Sequence, residues 1–379
     1  MKRVLFVSPA VPRPTGSGLR MRAWLFLRAL AQNHRVTLVA GSPGFPAETE
    51  AELKDALPFV DDAMLLPWPR PALLGRKLAR WCGLRPQPLS WADPSPLLHR
   101  RLKGLRDRGF ARVHVFRLYM LPVAEAASRA PIDLDLDESE SGTLLSLATL
   151  GNPASLRADA AWYQIREREE LARVSRVFVA SAVEARALIR ETTVVENAVP
   201  VHPLVPAPLD ARDLLLVGSL GYEPNAEGVR FLLEAVLPLL PKPFRLVVAG
   251  AGALPTLRQR LRLHPDVRFL DSPATVSPLY ASAAAALAPI RAGGGTRVKV
   301  LEALAHGCPL IATAKAVEGL DLEPGKHFVI AESAADWVQA CRMLLADPGR
   351  GAQLAAAGYA WVQRHELEAA VARLARLTL

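Results

Sequence analysis

A chain of 379 residues, 51% of them apolar, is long enough to bury two cores rather than one. It has no run of 18 or more uninterrupted apolar residues, which excludes a membrane-spanning helix, and its three distant cysteines (Cys82, Cys308, Cys341) exclude a disulfide framework and fit a reducing cytoplasm. The formal charge is +9, with 28 Lys and Arg against 21 Asp and Glu in residues 1–200, yet no helix-turn-helix, RNA-recognition or zinc-finger pattern accompanies it, so nucleic acid is not an expected partner.

Short apolar runs alternate with helical stretches from end to end, the pattern of α/β sheets. The first run is Val4–Ser8. Met1-Lys-Arg ahead of it resembles the start of a signal peptide, but the run is short and meets Pro9, Pro12 and Arg13, so a first strand is expected. Gly16-Ser17-Gly18 follows, ahead of an amphipathic helix over Leu19–Gln32 that carries Arg20. Glycines before a helix start make a candidate anion site. Further strands are expected at Val36–Ala40, Ala63–Leu66, Val113–Phe116, Ile132–Leu136, Val177–Ala180 and Val194–Val195, with a long charged helix at Asp159–Val174.

Residues 70–112 hold eleven Lys and Arg against two acids, Asp93 and Asp107, with Trp68, Trp81, Trp91, Leu73 and Leu74 in or beside them. Such a mixture suits an anionic membrane surface; it equally suits a solvated face of an arginine-rich protein. Arg117 and Tyr119 follow one strand and are candidates to line a pocket. Asp133-Leu-Asp-Leu-Asp-Glu138 ends the next, and alternation puts Asp133, Asp135 and Asp137 on one face. Buried acids without a purpose are costly. Asp137 and Glu138 are therefore either contacts for substrate hydroxyls or a solvent-exposed strand terminus.

Pro200-Val-His-Pro-Leu-Val-Pro-Ala-Pro208 can continue neither sheet and reads as a linker. Expected boundaries are a first domain over 1–200, a linker over 201–208, a second domain over 209–360 and a C-terminal helix within 361–379. In the second half the expected strands are Leu214–Gly218, Arg245–Ala249, Val267–Leu270, Ala284–Pro289, Leu310–Ala312 and His327–Ile330. Helices are expected at Ala226–Leu239, Pro255–Arg262, Val276–Ala283 and Asp336–Leu345. The fold class is α/β: two Rossmann-like domains facing a cleft, with ligands at the carboxyl ends of the strands.

The most informative stretch is Arg291-Ala-Gly-Gly-Gly-Thr-Arg-Val-Lys-Val-Leu-Glu-Ala-Leu-Ala-His-Gly-Cys-Pro309. Gly293, Gly294 and Gly295 leave backbone amides open to a ligand, and good helix formers run from Thr296 to His306. A strand, a glycine loop and a helix start suit a phosphate. Arg297 and Lys299 add two cations. Val298, Leu301 and Ala305 form the stripe that packs on the sheet, and Glu302 projects beside Val298. A carboxylate there can accept both hydroxyls of a ribose. The group is built for a nucleoside diphosphate, and it is not the P-loop of NTPases, because no Gly-Lys-Ser/Thr follows. No HExxH or comparable histidine cluster occurs, so neither a metal nor another cofactor is expected.

This segment resembles the C-terminal donor-binding motif of GT-B glycosyltransferases of family 4, and within it the bacterial sugar transferases of exopolysaccharide systems. Val36-Thr-Leu-Val-Ala, Val195-Glu-Asn-Ala-Val-Pro200, Val217-Gly-Ser-Leu-Gly-Tyr-Glu-Pro-Asn225 and the opening Val4-Leu-Phe-Val-Ser-Pro with Gly16-Ser-Gly-Leu-Arg20 also fit. The resemblance implies a nucleotide-sugar donor held by the second domain, at Gly218, the glycine loop, Arg297, Lys299 and Glu302, with Asp271 where the base is held. It implies a glycan or polyprenyl-linked acceptor at the first domain, with the loop of Gly16, Gly18 and Arg20 between acceptor and donor phosphate. Arg117, Tyr119, Asp137 and Glu138, singled out above from their strand ends, are the candidates for the acceptor side, and Asp137 joins Arg297, Lys299 and Glu302 as a catalytic candidate. The resemblance also implies retention at the anomeric carbon and a last helix that crosses back to the first domain. The cysteines lead to the expectation of a cytoplasmic enzyme, and the basic stretch leaves open whether it is also peripheral on the inner face of the cell membrane. Two departures stand out. The family's second glutamate is replaced by Gly294, and the Arg and Lys common after the first C-terminal strand are replaced by Ser219 and Asn225. A sugar-nucleotide epimerase, or a non-catalytic sugar-nucleotide-binding subunit of a polysaccharide assembly complex, remain the alternative readings.

Overall fold

The structure, a computed structural model, describes residues 1–41, 53, 59–66, 68, 70–84, 87–151, 153–188, 190–205, 208–295 and 298–378. The chain forms two compact units. One comprises Met1–Ala148, Asn152–Asn197 and Glu368–Leu379; the other comprises Thr149–Gly151 and Ala198–Leu367.

In the first unit β1 (Arg3–Ser8), β2 (Arg35–Ala40), β3 (Asp62–Leu65), β4 (Arg112–Phe116), β5 (Ile132–Asp137), β6 (Arg176–Val179) and β7 (Thr193–Val194) form one sheet. Their order is β3-β2-β1-β4-β5-β6-β7 and every pairing is parallel. Strands covered on both faces read as continuous apolar runs. Accordingly Leu5 and Val7 of β1, Val113 and Val115 of β4, and Leu134 and Leu136 of β5 lie in one buried core. In the second unit β8 (Asp213–Val217), β9 (Arg245–Ala249), β10 (Val267–Leu270), β11 (Ala283–Ala288), β12 (Leu310–Ala312) and β13 (Val329–Ile330) pair in parallel, in the order β10-β9-β8-β11-β12-β13. Leu214, Leu216, Leu246, Val248, Leu287 and Ile311 line its core with Trp337. Each sheet winds outward from its first strand, then reverses. The reversal falls between β1 and β4 in the first unit and between β8 and β11 in the second, the place where such sheets take ligands.

The expected strands are all present, shifted by a residue or two at their ends. Helices depart further. The helix expected over Ala226–Leu239 starts earlier, at Glu223–Phe231 with Pro224 in its first turn, then continues as a π turn and a 3₁₀ turn, Leu232–Val236 and Leu237–Leu239. Pro238 has no N–H to give the α pattern, which accounts for the last change. The C-terminal stretch contains two helices, Pro348–Val362 and Leu367–Leu377, split by a turn at Gln363–His365.

The basic stretch contains two helices that its composition hid, Arg70–Trp81 and Pro96–Lys103. Trp91 is not on the surface. It is 7% exposed and packs edge-to-face against Trp162 and Tyr163 at 5.0 and 6.3 Å. Trp68 is partly buried against the same core. The suggestion that both face a membrane is therefore corrected: their large apolar area is spent inside.

Candidate functional site

In the second unit the glycine loop leaves β11 and enters the helix Val298–Ala305. Gly293 (φ 101°) and Gly295 (φ 69°) take left-handed backbone that a side chain resists. Gly293 is buried, while Gly294 and Gly295 are half-buried. Thr296 and Arg297 lie outside the described residues, so their proposed roles rest on sequence. Lys299, one residue into the helix, turns toward the neighbouring loop after β8. Its Nζ donates to Asn225 Oδ1, and Asn225 Nδ2 donates to the Ser219 carbonyl at 2.7 Å. Gly218 makes this possible: a Cβ there would stand 2.8 Å from Asn225 Nδ2 and 3.0 Å from Lys299 Nζ. Gly250 is equally constrained, since its Cβ would stand 1.8 Å from the Gly218 carbonyl oxygen. The loops after β8, β9 and β11 thus close on one another at the reversal point of the sheet.

Most of the helix is buried, at Val298, Val300, Leu301, Ala303, Leu304 and Ala305, a wider face than the expected stripe. Glu302 is half-buried. Burial pushes its carboxyl up to about 7, against the pull of Lys299. Tyr280, buried nearby, has its hydroxyl pushed up by burial and then by Glu302. His306 ends the helix. Its Nδ1 lies 2.8 Å from the Glu302 carbonyl oxygen, and its ring stacks on His202 and Tyr280 at 4.4 and 4.7 Å. Asp271 stands apart after β10, paired with Arg258 at 3.1 Å.

Glu302 gives one direct expectation. Its folded value of about 7 lies above the ordinary 4.5. Between those values the folded state keeps a proton that the unfolded state has lost, so stability falls as pH rises through this window. Glu302→Gln removes the slope. Relative to wild type the variant gains melting temperature at about pH 8 and gains none near pH 4. Parallel melting curves across that range would contradict the burial of this acid.

In the first unit a network of charged side chains gathers at the carboxyl ends of β4 and β5. Arg117 and Asp137 both adopt left-handed backbone, φ 73° and 62°, although neither is glycine. Arg117 pairs with Asp137 at 3.1 Å, Glu138 at 2.9 Å and Glu140 at 2.9 Å, and its guanidinium lies over the Tyr119 ring at 5.8 Å. Asp137 also meets Arg22 at 3.3 Å. Asp135 is bound by Arg22 through two guanidinium nitrogens, at 2.9 and 2.7 Å. Asp133 is held between Arg112 and Arg176, at 2.8 and 2.6 Å. The exposed-terminus reading of this acidic run is thus overturned: each acid is drawn inside by an arginine. The structure brings Arg117, Tyr119, Asp137 and Glu138 together. Gly16 lies in the loop after β1 with open space around it, and Gly18 and Arg20 sit in the first turn of the helix Gly18–Asn33.

Asn225 was legible only as a missing lysine. What it does, holding Lys299, needs two loops 74 residues apart to meet. Arg22 and Glu140 carried no local signal at all, since Arg22 is 113 residues from Asp135.

Residues 211–347 match the family model described as Glycosyl transferases group 1. No curated protein matches the chain in sequence. Among solved structures the chain is similar to sucrose-phosphate synthase from Thermosynechococcus elongatus, with TM-score 0.72 and 16% identity over 100% of this chain and 98% of that one. It is similar to HepE from Anabaena, solved in complex with UDP and glucose, with TM-score 0.70 and 14% identity over 100% and 99%. It is similar to WaaG, a glycosyltransferase involved in lipopolysaccharide biosynthesis, with TM-score 0.64 and 15% identity over 99% of each. Identities this low speak for the fold alone, two parallel α/β units over the full chain; the match over 211–347 speaks for the chemistry. The chain is a GT-B-fold protein carrying a glycosyl transferases group 1 domain at residues 211–347, and so a glycosyltransferase.

Proposed function

We propose that the protein moves a sugar from a nucleoside-diphosphate sugar to a glycan or polyprenyl-linked acceptor, with retention, as family 4 enzymes of exopolysaccharide systems do. The observation that carries this reading is Lys299, fixed by Asn225 over Gly218 where the glycine loop meets its helix. Loop amides, Lys299 and, from sequence, Arg297 face the diphosphate. Breaking the sugar–phosphate bond leaves a nucleoside diphosphate and an oxocarbenium-like sugar. Fixed donors aimed at the leaving phosphate stabilise that charge without reorganising. Glu302 accepts the ribose hydroxyls as a carboxylate, Asp271 lies on the base side, and the charge network of Arg117, Tyr119, Asp137 and Glu138 serves the acceptor with the Gly16–Arg20 loop. The work is cytoplasmic, at the membrane face where a lipid-linked acceptor is held.

The chain's own cations replace a metal in this scheme, and the acids of β5 are already engaged by arginines. HepE holds UDP, which makes UDP-sugars the first donors to try. The test is a thermal-shift panel of UDP-, GDP-, ADP- and CMP-sugars with and without EDTA, since a ligand bound only by the folded state raises its melting temperature. One donor class should shift the melt equally in both conditions, and transfer should survive chelation. No shift with any donor sinks the reading; loss with EDTA and rescue by Mg²⁺ or Mn²⁺ sinks its metal independence.

A further inference from the structure

The helix Arg70–Trp81 packs with its apolar stripe outward. Leu74, Leu78 and Trp81 fall within about 60° of one another around the helix, and they are 65%, 59% and 85% exposed, followed by Leu84 at 77%. The half-buried side of the helix carries two arginines, Arg76 and Arg80, beside the smaller apolar share of Leu73 and Ala79. Arg76 donates to the Trp91 carbonyl, and Arg80 donates to the Gln87 carbonyl at 3.2 Å and pairs with Asp159. A surface helix of a globular protein has the opposite arrangement. Three large apolar side chains exposed in one stripe, with Leu84 exposed just beyond the helix end, mark a surface that something covers.

We infer that the face of Leu74, Leu78, Trp81 and Leu84 docks on an anionic phospholipid surface. Charge selects this occupant. No acid lies between Arg70 and Leu84, and Lys77 is exposed at the edge of the stripe. The helix Pro96–Lys103 of the same unit also exposes Leu97 together with Arg100, Arg101 and Lys103. A second copy of the chain seated on this face would set like charges against each other. A bilayer with acidic headgroups takes both kinds of side chain: Leu and Trp sink to the acyl boundary while Lys and Arg meet phosphates. Among the described residues no helix is long and apolar enough to cross a membrane, so the contact is a docking and not a span. It would hold the enzyme beside a lipid-linked acceptor, and it stands or falls independently of the donor site.

The test is co-sedimentation of the full chain with vesicles of phosphatidylcholine, alone or mixed with phosphatidylglycerol. Wild type should pellet with the mixed vesicles and stay in solution with the neutral ones, less so as salt is raised. Changing Leu74, Leu78 and Trp81 together to Ser should weaken partitioning roughly a hundredfold or more, because three large apolar groups no longer leave water. Lys77→Glu should weaken it by a smaller factor. All four positions are exposed, so the variants should melt like wild type and keep the wild-type thermal shift with nucleotide; that separates failure here from failure of the donor reading. Wild type left in solution with the mixed vesicles, equal recovery with both vesicles at low salt, or a triple variant that pellets like wild type would each overturn the inference. So would light scattering that shows a lipid-free wild-type dimer broken by the triple variant, because the stripe would then be a contact between copies.

Discussion

Lys299→Ala lowers kcat for sugar transfer on the order of 100-fold, the scale of losing one fixed donor to the transition state. The reason is geometric. A lysine on an open surface samples many rotamers and meets an anion as a mobile charge. Lys299 is half-buried, anchored by Asn225 and laid over a glycine whose side chain would displace it. Its ordering cost is therefore met on folding rather than on binding. Asn225→Ala should show the same defect more weakly, about tenfold or somewhat more, because the lost hydrogen bond is to a charged group yet the ammonium itself remains. Steady-state kinetics with saturating acceptor checks both. Wild-type kcat and kcat/KM in Lys299→Ala would remove it from the site.

The second large effect is on stability. Arg22 is buried, and its guanidinium is fully engaged: Nε and Nη2 bind Asp135, while Nη1 donates to the Val195 carbonyl at 2.8 Å and to Asn197 Oδ1 at 3.0 Å. Asp135 is wholly buried; beyond Arg22 it accepts the Asp137 backbone N–H at 3.2 Å and feels the like charge of that residue's carboxylate. Arg22→Ala leaves a carboxylate in a dry interior next to a like charge. Breaking such a pair costs about 3–5 kcal/mol, whereas replacing both members by apolar groups of similar size is often neutral. Urea denaturation should show the transition of the first unit weakened by that amount in Arg22→Ala and largely restored in Arg22→Met with Asp135→Leu, the second unit's transition being unmoved. A loss near 1 kcal/mol, the scale of an ordinary hydrogen bond, would mean that water reaches the pair.

The strands were legible because parallel strands buried on both faces must be apolar throughout, and Val4–Ser8, Arg245–Ala249 and Leu310–Ala312 are such runs between glycines, prolines and charges. The glycine loop was legible because its conformation demands glycine at Gly293 and Gly295. The acids of β5 were visible, but their environment was not. Alternation placed Asp133, Asp135 and Asp137 on one face without saying whether water or arginine met them, and the arginines come from Arg22, Arg112, Arg117 and Arg176 across the sheet. Left-handed backbone at Arg117 has no sequence mark, since arginine does not favour it, and at Asp137 the mark is faint, since aspartate is enriched there yet adopts it at few of its positions. The helix Arg70–Trp81 escaped notice for a different reason. Its apolar stripe at Leu74, Leu78 and Trp81 has helical spacing, but a reading that assigns apolar spacing to a core has no place for a stripe that the fold leaves outside.

The claim that a nucleoside diphosphate sits on the glycine loop of the second unit is tested most directly by hydrogen–deuterium exchange on the full chain, with and without the nucleotide that gives the largest thermal shift. Binding should slow exchange in peptides spanning Gly218–Asn225 and Arg291–Glu302, and the protection should vanish from both in Lys299→Ala at the same nucleotide concentration. Protection confined to the first unit, or none over Arg291–Glu302 while the nucleotide is demonstrably bound, would contradict the account.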